Sequence, residues 1–277
     1  MQTLVLVNAE EFWETHFNEM FDVHHVRLQT SNWMLNEGKL FVFDNGKRIR
    51  VDNIFWRIAP VQPYPQHREI LEMIRFAGVP CVNPAKTMLM EINRWTMLNQ
   101  LKELGLPMLP TTFAVGNNLA RQIYPELPSV LKVASYHAAY GKMKIQSNDQ
   151  WQEMRDFLFA TDGYFTVEPF VDYKRDIRCL AVGERVWALA RKGSRWKANT
   201  GIVDAQPIDT PEVLFNYTKQ VQQATGSDII ALDILENDEG DYFVLESNAV
   251  PGIAGFSDAV VYAIVELALV RYTDELQ

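Results

Sequence analysis

The chain has 277 residues, of which 48% are hydrophobic and 22% charged, a composition typical of a globular protein large enough for two or more packed units. Its net charge of −9 argues against a general nucleic-acid-binding or anionic-membrane surface, so any bound phosphate would need a local basic cluster. Cys81 and Cys179 lie far apart in apolar runs, and we expect reduced core residues rather than a disulfide or a metal pair. With no basic segment at the start and no run of membrane-spanning length, we expect a cytoplasmic protein without a signal peptide.

The first ninety residues alternate between strand and helix patterns. The predicted elements are a strand at Leu4–Val7, an amphipathic helix at Glu10–Phe21 with an aromatic apolar side, a hairpin of Leu40–Phe43 and Ile49–Val51, a strand at Ile54–Ile58, a helix at His67–Ala77 and a strand at Val79–Val82. This order predicts a small α/β domain with a mainly parallel sheet. Arg57 has two interpretations: a solvated strand end, or a side chain at the sheet edge where such folds bind ligands.

The middle of the chain carries lysines inside apolar strands. Pro84–Leu104 predicts a helix broken near Glu91, and Thr111–Val115 predicts a strand. Ser129–Ile145 then predicts two strands that contain Lys132, Lys142 and Lys144. A lysine such as Lys132 in an apolar strand must meet an anion or lose its charge, although solvated lysines on an alternating strand remain an alternative, mainly for Lys144. The segment is not a Walker loop, so phosphate contacts would come from lysines and hairpin N–H groups.

The following segments predict a helix, three strands, a basic loop and two helices. In order, these are Trp151–Ala160, Tyr164–Val171, Arg175–Val182, Val186–Arg191, the loop Gly193–Gly201, Pro211–Thr225 and, after the next hairpin, Ala259–Tyr272. Arg178 lies between apolar Ile177 and Cys179, so its side chain is expected on the opposite face of the strand.

An acidic hairpin spans Ala231–Gly252, with a polar turn between two apolar strands. Strand pairing through this turn can bring Asp233 beside Glu246 and Asn248, with the three side chains on one face. Two carboxylates and an amide are oxygen ligands suited to Mg²⁺, which needs few protein ligands when substrate phosphates supply the others. The alternative is a polar hairpin with surface acids.

These motifs resemble the ATP-grasp superfamily, in the branch of ribosomal-protein glutamate ligases, glutathione-synthetase-like ligases and synapsins. The resemblance is carried by VEPFVDYKRDIRCLAVG, by the synapsin-like loop RKGSRWKANTG, and by ALDIL followed by VLESNAVPG. It implies an α/β (α+β) fold with an N-terminal α/β domain at residues 1–90, a lid subdomain at 91–170 and a C-terminal subdomain at 171–277. ATP would lie between the last two with Mg²⁺ or Mn²⁺.

The same resemblance implies roles for individual residues. Lys132 would meet the α- and β-phosphates and Lys142 the γ-phosphate. The hinge would contact adenine through its backbone, and either Asp172 or Asp176 would contact the ribose. The hinge residues are Glu168, Pro169, Phe170 and Val171. Arg178 and Arg191 would stabilise the transferred phosphoryl group or an acceptor carboxylate, with Asn199 near the phosphates or acceptor. Asp233, Glu246 and Asn248 would hold the metal.

Two features depart from the pattern. Arg94 stands where the family usually has its first phosphate lysine, and it offers a forked rather than a point charge. The loop HAAYGK has one glycine, whereas many relatives are glycine-rich.

Three functions are compatible with these motifs. The first is a ligase that joins a carboxylate to an amine through an acyl phosphate; the second is a synapsin-like ATP-binding protein with little turnover; the third is a macrocyclising peptide ligase. We favour a ligase with a small-molecule or peptide carboxylate acceptor and an amine donor, and expect neither a nucleic acid nor a membrane partner. The segment 57–65 is the predicted source of substrate specificity, and a homo-oligomer stays open.

Overall fold

The computed structural model describes residues 1–59, 65–116, 118–136, 139–160, 164–193, 196–197 and 203–273. The strands are β1 (Thr3–Val7), β2 (Asp22–Val26), β3 (Asn32–Asn36), β4 (Lys39–Asp44), β5 (Lys47–Arg50), β6 (Asn53–Trp56), β7 (Cys81–Val82), β8 (Thr112–Val115), β9 (Ser129–Val133), β10 (Lys142–Ile145), β11 (Tyr164–Pro169), β12 (Arg175–Val182), β13 (Arg185–Gly193), β14 (Val203–Ile208), β15 (Ile229–Glu236) and β16 (Tyr242–Asn248). The α-helices are α1 (Pro65–Ala77), α2 (Ala85–Glu91), α3 (Arg94–Glu103), α4 (Asn148–Phe159), α5 (Glu212–Thr225) and α6 (Asp258–Thr273).

The N-terminal part contains two sheets. A parallel sheet has the strand order β2-β1-β6-β7, which confirms the predicted parallel α/β unit. A small antiparallel sheet, β3-β4-β5, contains the predicted hairpin with its turn at Asn45 and Gly46, both of which have positive φ.

The predicted helix at Glu10–Phe21 is wrong in kind and in length. The structure has a 3-10 helix at Glu11–His16, after which the chain turns towards β2. Trp13, Phe17 and Phe21 are buried, but Phe12 is 44% exposed, so the aromatic residues do not form one continuous apolar side. These three buried rings nevertheless pack the segment against a hydrophobic core that includes Phe55 and Tyr272.

Two antiparallel sheets follow. The first has the order β10-β9-β11-β8, and α4 packs against it around Leu131, Trp151 and Phe165. The second has the order β14-β13-β12-β15-β16. Strand β14 was not predicted, and its polar sequence VDAQPI explains why the pattern gave no strand signal.

The five-stranded sheet is buried on one face along its length and on the other face only in part. Cys179, Leu232 and Ile234 point to the face covered by α3 and α5. On the opposite face, Leu180 and Ala231 pack against α6 and the N-terminal sheet. Because side chains alternate along a strand, Arg178 and Asp233 share the face of Leu180 and Ala231. They lie beyond the end of that core, where the sheet is free to line a cleft.

Within the described ranges, no helix is both long enough and apolar enough to cross a bilayer.

Candidate active site

A cleft with about 660 Å³ of empty space lies between the sheet containing β9, β10 and β11 and the five-stranded sheet. Its lining residues are Leu109, Val130, Lys132, Lys142, Glu168, Pro169, Phe170, Val171, Tyr173, Asp176, Arg191, Trp196, Lys197, Asp233, Leu235, Leu245 and Glu246. Most of the predicted site residues are therefore brought together here, from strands that are far apart in the sequence.

The two carboxylates of the acidic hairpin face each other across β15 and β16. Asp233 pairs directly with Glu246 in the strand register, and the register shifts immediately afterwards at Ile234. Directly opposed like charges destabilise a strand pair unless cations compensate them. The structure supplies separate cations to each carboxylate.

Asp233 is held by two arginines. Arg178 donates from Nε to Oδ1 and from Nη2 to Oδ2, each at 2.8 Å, and Arg191 Nη2 lies 3.1 Å from Oδ1. Burial alone would raise the pKa of Asp233, but the guanidinium groups of Arg178 and Arg191 outweigh it and lower the pKa. The carboxylate is therefore kept ionised inside the protein.

Glu246 is held by Arg94 and Lys142. Arg94 Nη1 and Lys142 Nζ each lie 3.2 Å from Glu246 Oε2. Burial would raise the pKa of Glu246, yet the nearby positive charges of Lys142 and Arg94 bring it well below its usual value. Since Lys142 belongs to β10 and Glu246 to β16, this ion pair joins the two sheets across the cleft.

Arg94 is placed by the start of α3. Asn93 caps this helix by accepting from the backbone N–H of Trp95 at 2.8 Å. The buried Arg94 side chain donates to Tyr136 O at 2.8 Å and to Ala134 O at 3.3 Å, besides its contact with Glu246. It therefore ties the turn after β9 to the acidic hairpin.

Lys132 and Lys142 are directly opposite each other on β9 and β10. Lys132 Nζ lies 2.6 Å from Glu168 Oε1, and both side chains are buried. Burial lowers the pKa of Lys132, while the Glu168 carboxylate opposes this shift. Two facing lysines with an acid on each side can bind a multiply charged anion if one or both acids release their partner.

Asp176 and Arg191 form a third buried pair. Arg191 Nε donates to Asp176 Oδ1 at 2.7 Å and its Nη2 also contacts this oxygen, so Arg191 spans Asp176 and Asp233. Burial raises the pKa of Asp176 to about 6, although Arg191 opposes the shift. Of the two acids considered for the ribose, Asp176 lines the cleft, whereas Asp172 is exposed and does not.

Several lining residues were missed from the sequence. Trp196 and Lys197 belong to the loop Gly193–Gly201, which was described only as polar and basic, and Tyr173 lies in the short connection between the predicted strands Tyr164–Val171 and Arg175–Val182. Tyr173 Oη donates to Trp196 O at 3.1 Å, and the Trp196 ring lies edge-on to Phe170 at 6.3 Å. An aromatic residue within a basic loop, Trp196, and a second one beside the hinge, Tyr173, were the signals that could have identified this wall of the cleft. Leu235 and Leu245 were read only as core.

Asn248 lies two residues beyond Glu246 on β16 and borders a second cavity rather than the main cleft. Its Nδ2 is buried and has no hydrogen-bond partner among the described residues. Glu91, which was read only as a helix break, accepts from Ser247 Oγ at 2.6 Å and from the Ala249 N–H. Burial raises the pKa of Glu91 to about 7, although these hydrogen bonds oppose the shift.

Two further predictions have different outcomes. Asn199 lies outside the described residues, as does most of the loop Gly193–Gly201. Arg57 is not a solvated strand end: its Nη2 donates to Pro251 O at 3.0 Å and its guanidinium carbon lies 5.6 Å from the centre of the Trp13 ring. Burial lowers its pKa, with Glu10 opposing.

The donor set fits a hard cation bound together with phosphates. Among the described residues, no group of three or more His, Cys, Asp and Glu side chains forms a metal site. Asp233 and Glu246 supply two adjacent carboxylates, and Asn248 follows on the same strand face. Such a set matches Mg²⁺, which takes one or two carboxylates and completes its shell with phosphate and water.

Comparisons with known proteins give the family. The family described as the synapsin ATP-binding domain matches residues 91–269. Synapsin of Drosophila melanogaster is 20% identical over 73% of this chain and 21% of its own length. The probable alpha-L-glutamate ligase of Pasteurella multocida is 24% identical over 66% of this chain and 61% of its own length. The chain thus spans about a fifth and about three fifths of these two relatives.

The fold has close counterparts among solved structures. The ATP-grasp ligase PsnB, solved with a phosphomimetic variant of its minimal precursor, Mg and ADP, superposes with a TM-score of 0.73 at 15% identity. The superposition covers 98% of this chain and 99% of that chain. The protein therefore has the ATP-grasp fold and belongs to the synapsin ATP-binding domain family.

Proposed function

We propose that this protein is an ATP-dependent carboxylate–amine ligase that releases ADP. The observation that carries the proposal is the facing pair of buried Asp233 and partly buried Glu246, which lies at the junction of the two sheets among four cationic side chains. A site for a nucleotide alone needs cations for phosphate. Paired carboxylates beside those cations suit metal-assisted phosphoryl transfer.

The reaction has two steps. A carboxylate oxygen of one reactant attacks the γ-phosphorus of ATP, the bond to the β-phosphate oxygen breaks, and ADP leaves an acyl phosphate behind. The amine of the second reactant then attacks the acyl carbon, phosphate leaves, and the amine loses a proton as the amide forms. Positioning and charge neutralisation are the main contributions of the protein to such a reaction.

The side chains divide between nucleotide and reacting groups. In this proposal Lys132, Lys142 and Arg94 bind the phosphates of the nucleotide. When the nucleotide binds, these cations give up their ion pairs with Glu168 and Glu246 and contact the phosphates instead. The hinge Glu168–Val171 meets adenine, with Leu235 and Leu245 as an apolar wall, and Asp176 meets the ribose. These assignments rest on the lining of the cleft and, for Arg94, on its contact with Glu246.

The metal and the transferred group share the opposite wall. Asp233, Glu246 and Asn248 would hold Mg²⁺, which when bound offsets the negative charge of the phosphates. Arg178 and Arg191 keep Asp233 ionised and aligned, and they supply positive charge to the phosphoryl group or the attacking carboxylate. Asn199 keeps its proposed place near the acceptor.

We also propose that the chain divides into subdomains at residues 90 and 170. We further propose a cytoplasmic location, where ATP is abundant.

The test measures ADP release and acyl-phosphate formation. Purified full-length chain with ATP and Mg²⁺ is screened against amino acids and peptides, and hydroxylamine is added to trap an acyl phosphate as a hydroxamate. Glu246→Gln should reduce both ADP and hydroxamate about 10²–10³-fold, a loss of roughly 3–4 kcal/mol of transition-state stabilisation. Glu239→Gln removes an exposed acid from the turn of the same hairpin and should leave turnover unchanged.

The screen separates a ligase from a nucleotide-binding protein. If wild-type protein binds ATP with Mg²⁺ yet yields neither ADP nor hydroxamate with any acceptor, the ligase proposal fails and the synapsin-like alternative replaces it. Equal turnover in Glu246→Gln and Glu239→Gln would refute the role given to the facing carboxylates.

A further inference from the structure

A second cavity, smaller than the main cleft and open to solvent, lies beside the end of β16. The residues that line it are Trp56, Ile58, Ala59, His67, Met88, Glu91, Ile92, Asn248, Ala249 and Val250. They come from the end of β6, from α1, from α2 and from β16, so the N-terminal unit and the acidic hairpin build the cavity together.

The cavity adjoins the proposed site of phosphoryl transfer. Asn248 lines it, and Glu246, two residues earlier on the same face of β16, lines the main cleft. Two residues of a strand span about 7 Å, so a group in the second cavity lies within one short side chain of the carboxylate pair. The Nδ2 of Asn248 is buried and has no partner within the part of the chain that the structure describes, so it offers a hydrogen-bond donor at this junction.

Most of the cavity wall is apolar. Trp56 and Ile58 face the cavity, and Trp56 stacks on His67 with the ring centres 5.5 Å apart. Arg57 lies between them in the sequence and points elsewhere, since its guanidinium contacts Pro251 O and Trp13. The alternation of side chains continues past the end of β6 and directs the Arg57 guanidinium away from this space.

The charge of the described wall is unfavourable for an acidic ligand. Among the described lining residues there is no lysine or arginine, and the ionisable ones are Glu91 and His67, whose ring stacks on Trp56. Both carboxyl oxygens of Glu91 already accept hydrogen bonds from Ser247 and Ala249, so its role is to fix the end of β16.

We propose that this cavity binds an uncharged, apolar amino-acid side chain of one ligase reactant and excludes glutamate. The inference rests on the proposed ligase function, and it separates this chain from the relatives that are named as glutamate ligases. A carboxylate in this cavity would lose its hydration without gaining a lysine or arginine partner among the described residues, whereas a leucine or methionine side chain would bury apolar surface against Met88 and Ile92.

The test is calorimetric binding to full-length protein that already holds ADP and Mg²⁺. The probes are L-leucine, L-methionine, L-glutamine, L-glutamate and L-lysine, each as the free amino acid and as the N-acetyl amide. Leucine should bind roughly 100-fold more tightly than glutamate, with glutamine between them. Glutamine and glutamate have nearly the same shape, so their difference isolates the charge.

Variants locate the binding. Ala59→Trp and Ile92→Trp fill the cavity from two sides and should each weaken leucine binding at least tenfold while ADP binding is retained. Val213→Trp, on the exposed side of α5, is the control and should change neither. Ile92→Lys should strengthen glutamate binding about tenfold relative to Ile92→Met, which has a similar length and no charge.

Several results would overturn the inference: glutamate or lysine binding more tightly than leucine, no binding of any probe, leucine binding unaffected in both filled variants, or no gain for glutamate in Ile92→Lys. These outcomes are distinct from failure of the proposed function. Leucine binding without ADP release in any screen would refute the ligase function and support the apolar specificity of the cavity. ADP release with glutamate as the preferred reactant would support the ligase function and refute the apolar specificity of the cavity.

Discussion

The buried ion pair of Lys132 and Glu168 should matter far more to stability than an exposed pair of the same length. Lys132 Nζ lies 2.6 Å from Glu168 Oε1, and the side chains are 4% and 7% exposed. Arg185 Nη2 lies 2.5 Å from Glu266 Oε2, but these side chains are 53% and 68% exposed. Comparison of the two pairs therefore tests the effect of burial.

Loss of one partner leaves the other charge in the protein interior. Lys132→Met should lower the free energy of unfolding by about 3–5 kcal/mol, because Glu168 cannot be hydrated in place of its lost partner. Arg185→Met should cost only about 0–1 kcal/mol, since water solvates Glu266. Urea denaturation followed by tryptophan fluorescence measures both values.

The double variant Lys132→Met/Glu168→Gln separates stability from binding. It contains no lone buried charge, so most of the stability lost in Lys132→Met should return. Nucleotide binding should not return, because a charge-assisted contact worth about 1.5–3 kcal/mol is still missing, and calorimetry with ADP and Mg²⁺ should show roughly 10–150-fold weaker binding. Wild-type affinity in a folded double variant, or equal stability losses for Lys132→Met and Arg185→Met, would refute this reasoning.

Two further predictions concern Glu91 and the loop after β9. Because the pKa of Glu91 is raised to about 7 from 4.5, the folded protein binds more protons in this window, and its stability relative to Glu91→Gln should fall as pH rises from about 4.5 to 7, by at most about 1.4 kcal/mol per pH unit. Urea unfolding at several pH values tests this, and parallel curves for the two proteins would contradict it. Tyr140 is 62% exposed next to Lys142, so chymotrypsin cleavage there should slow when ATP and Mg²⁺ close the cleft. Unchanged cleavage would remove this segment from nucleotide binding, with cleavage at exposed Tyr124 as the internal control.

The sequence by itself determined the order of the elements and the chemical character of the site. The parallel N-terminal sheet, the helix break before Arg94 and the acidic hairpin follow from local hydrophobic periods and turn residues, because these patterns are read within a few neighbouring residues. Alternation also fixed the face of Arg178 and Asp233. The short 3-10 helix and strand β14 were not predictable in this way, since both depend on packing against distant segments.

Only the tertiary structure decided which charges meet. The sequence gives no rule that pairs Arg94 with Glu246, 152 positions away, or that places Glu91 against Ser247 and Ala249. These pairings form where two sheets and two helices converge, and burial then requires each charge to find a partner. The second cavity also depends on the tertiary structure. One wall comes from the ends of β6 and β16, and the facing wall comes from α1 and α2, whose positions depend on the packing of the whole chain.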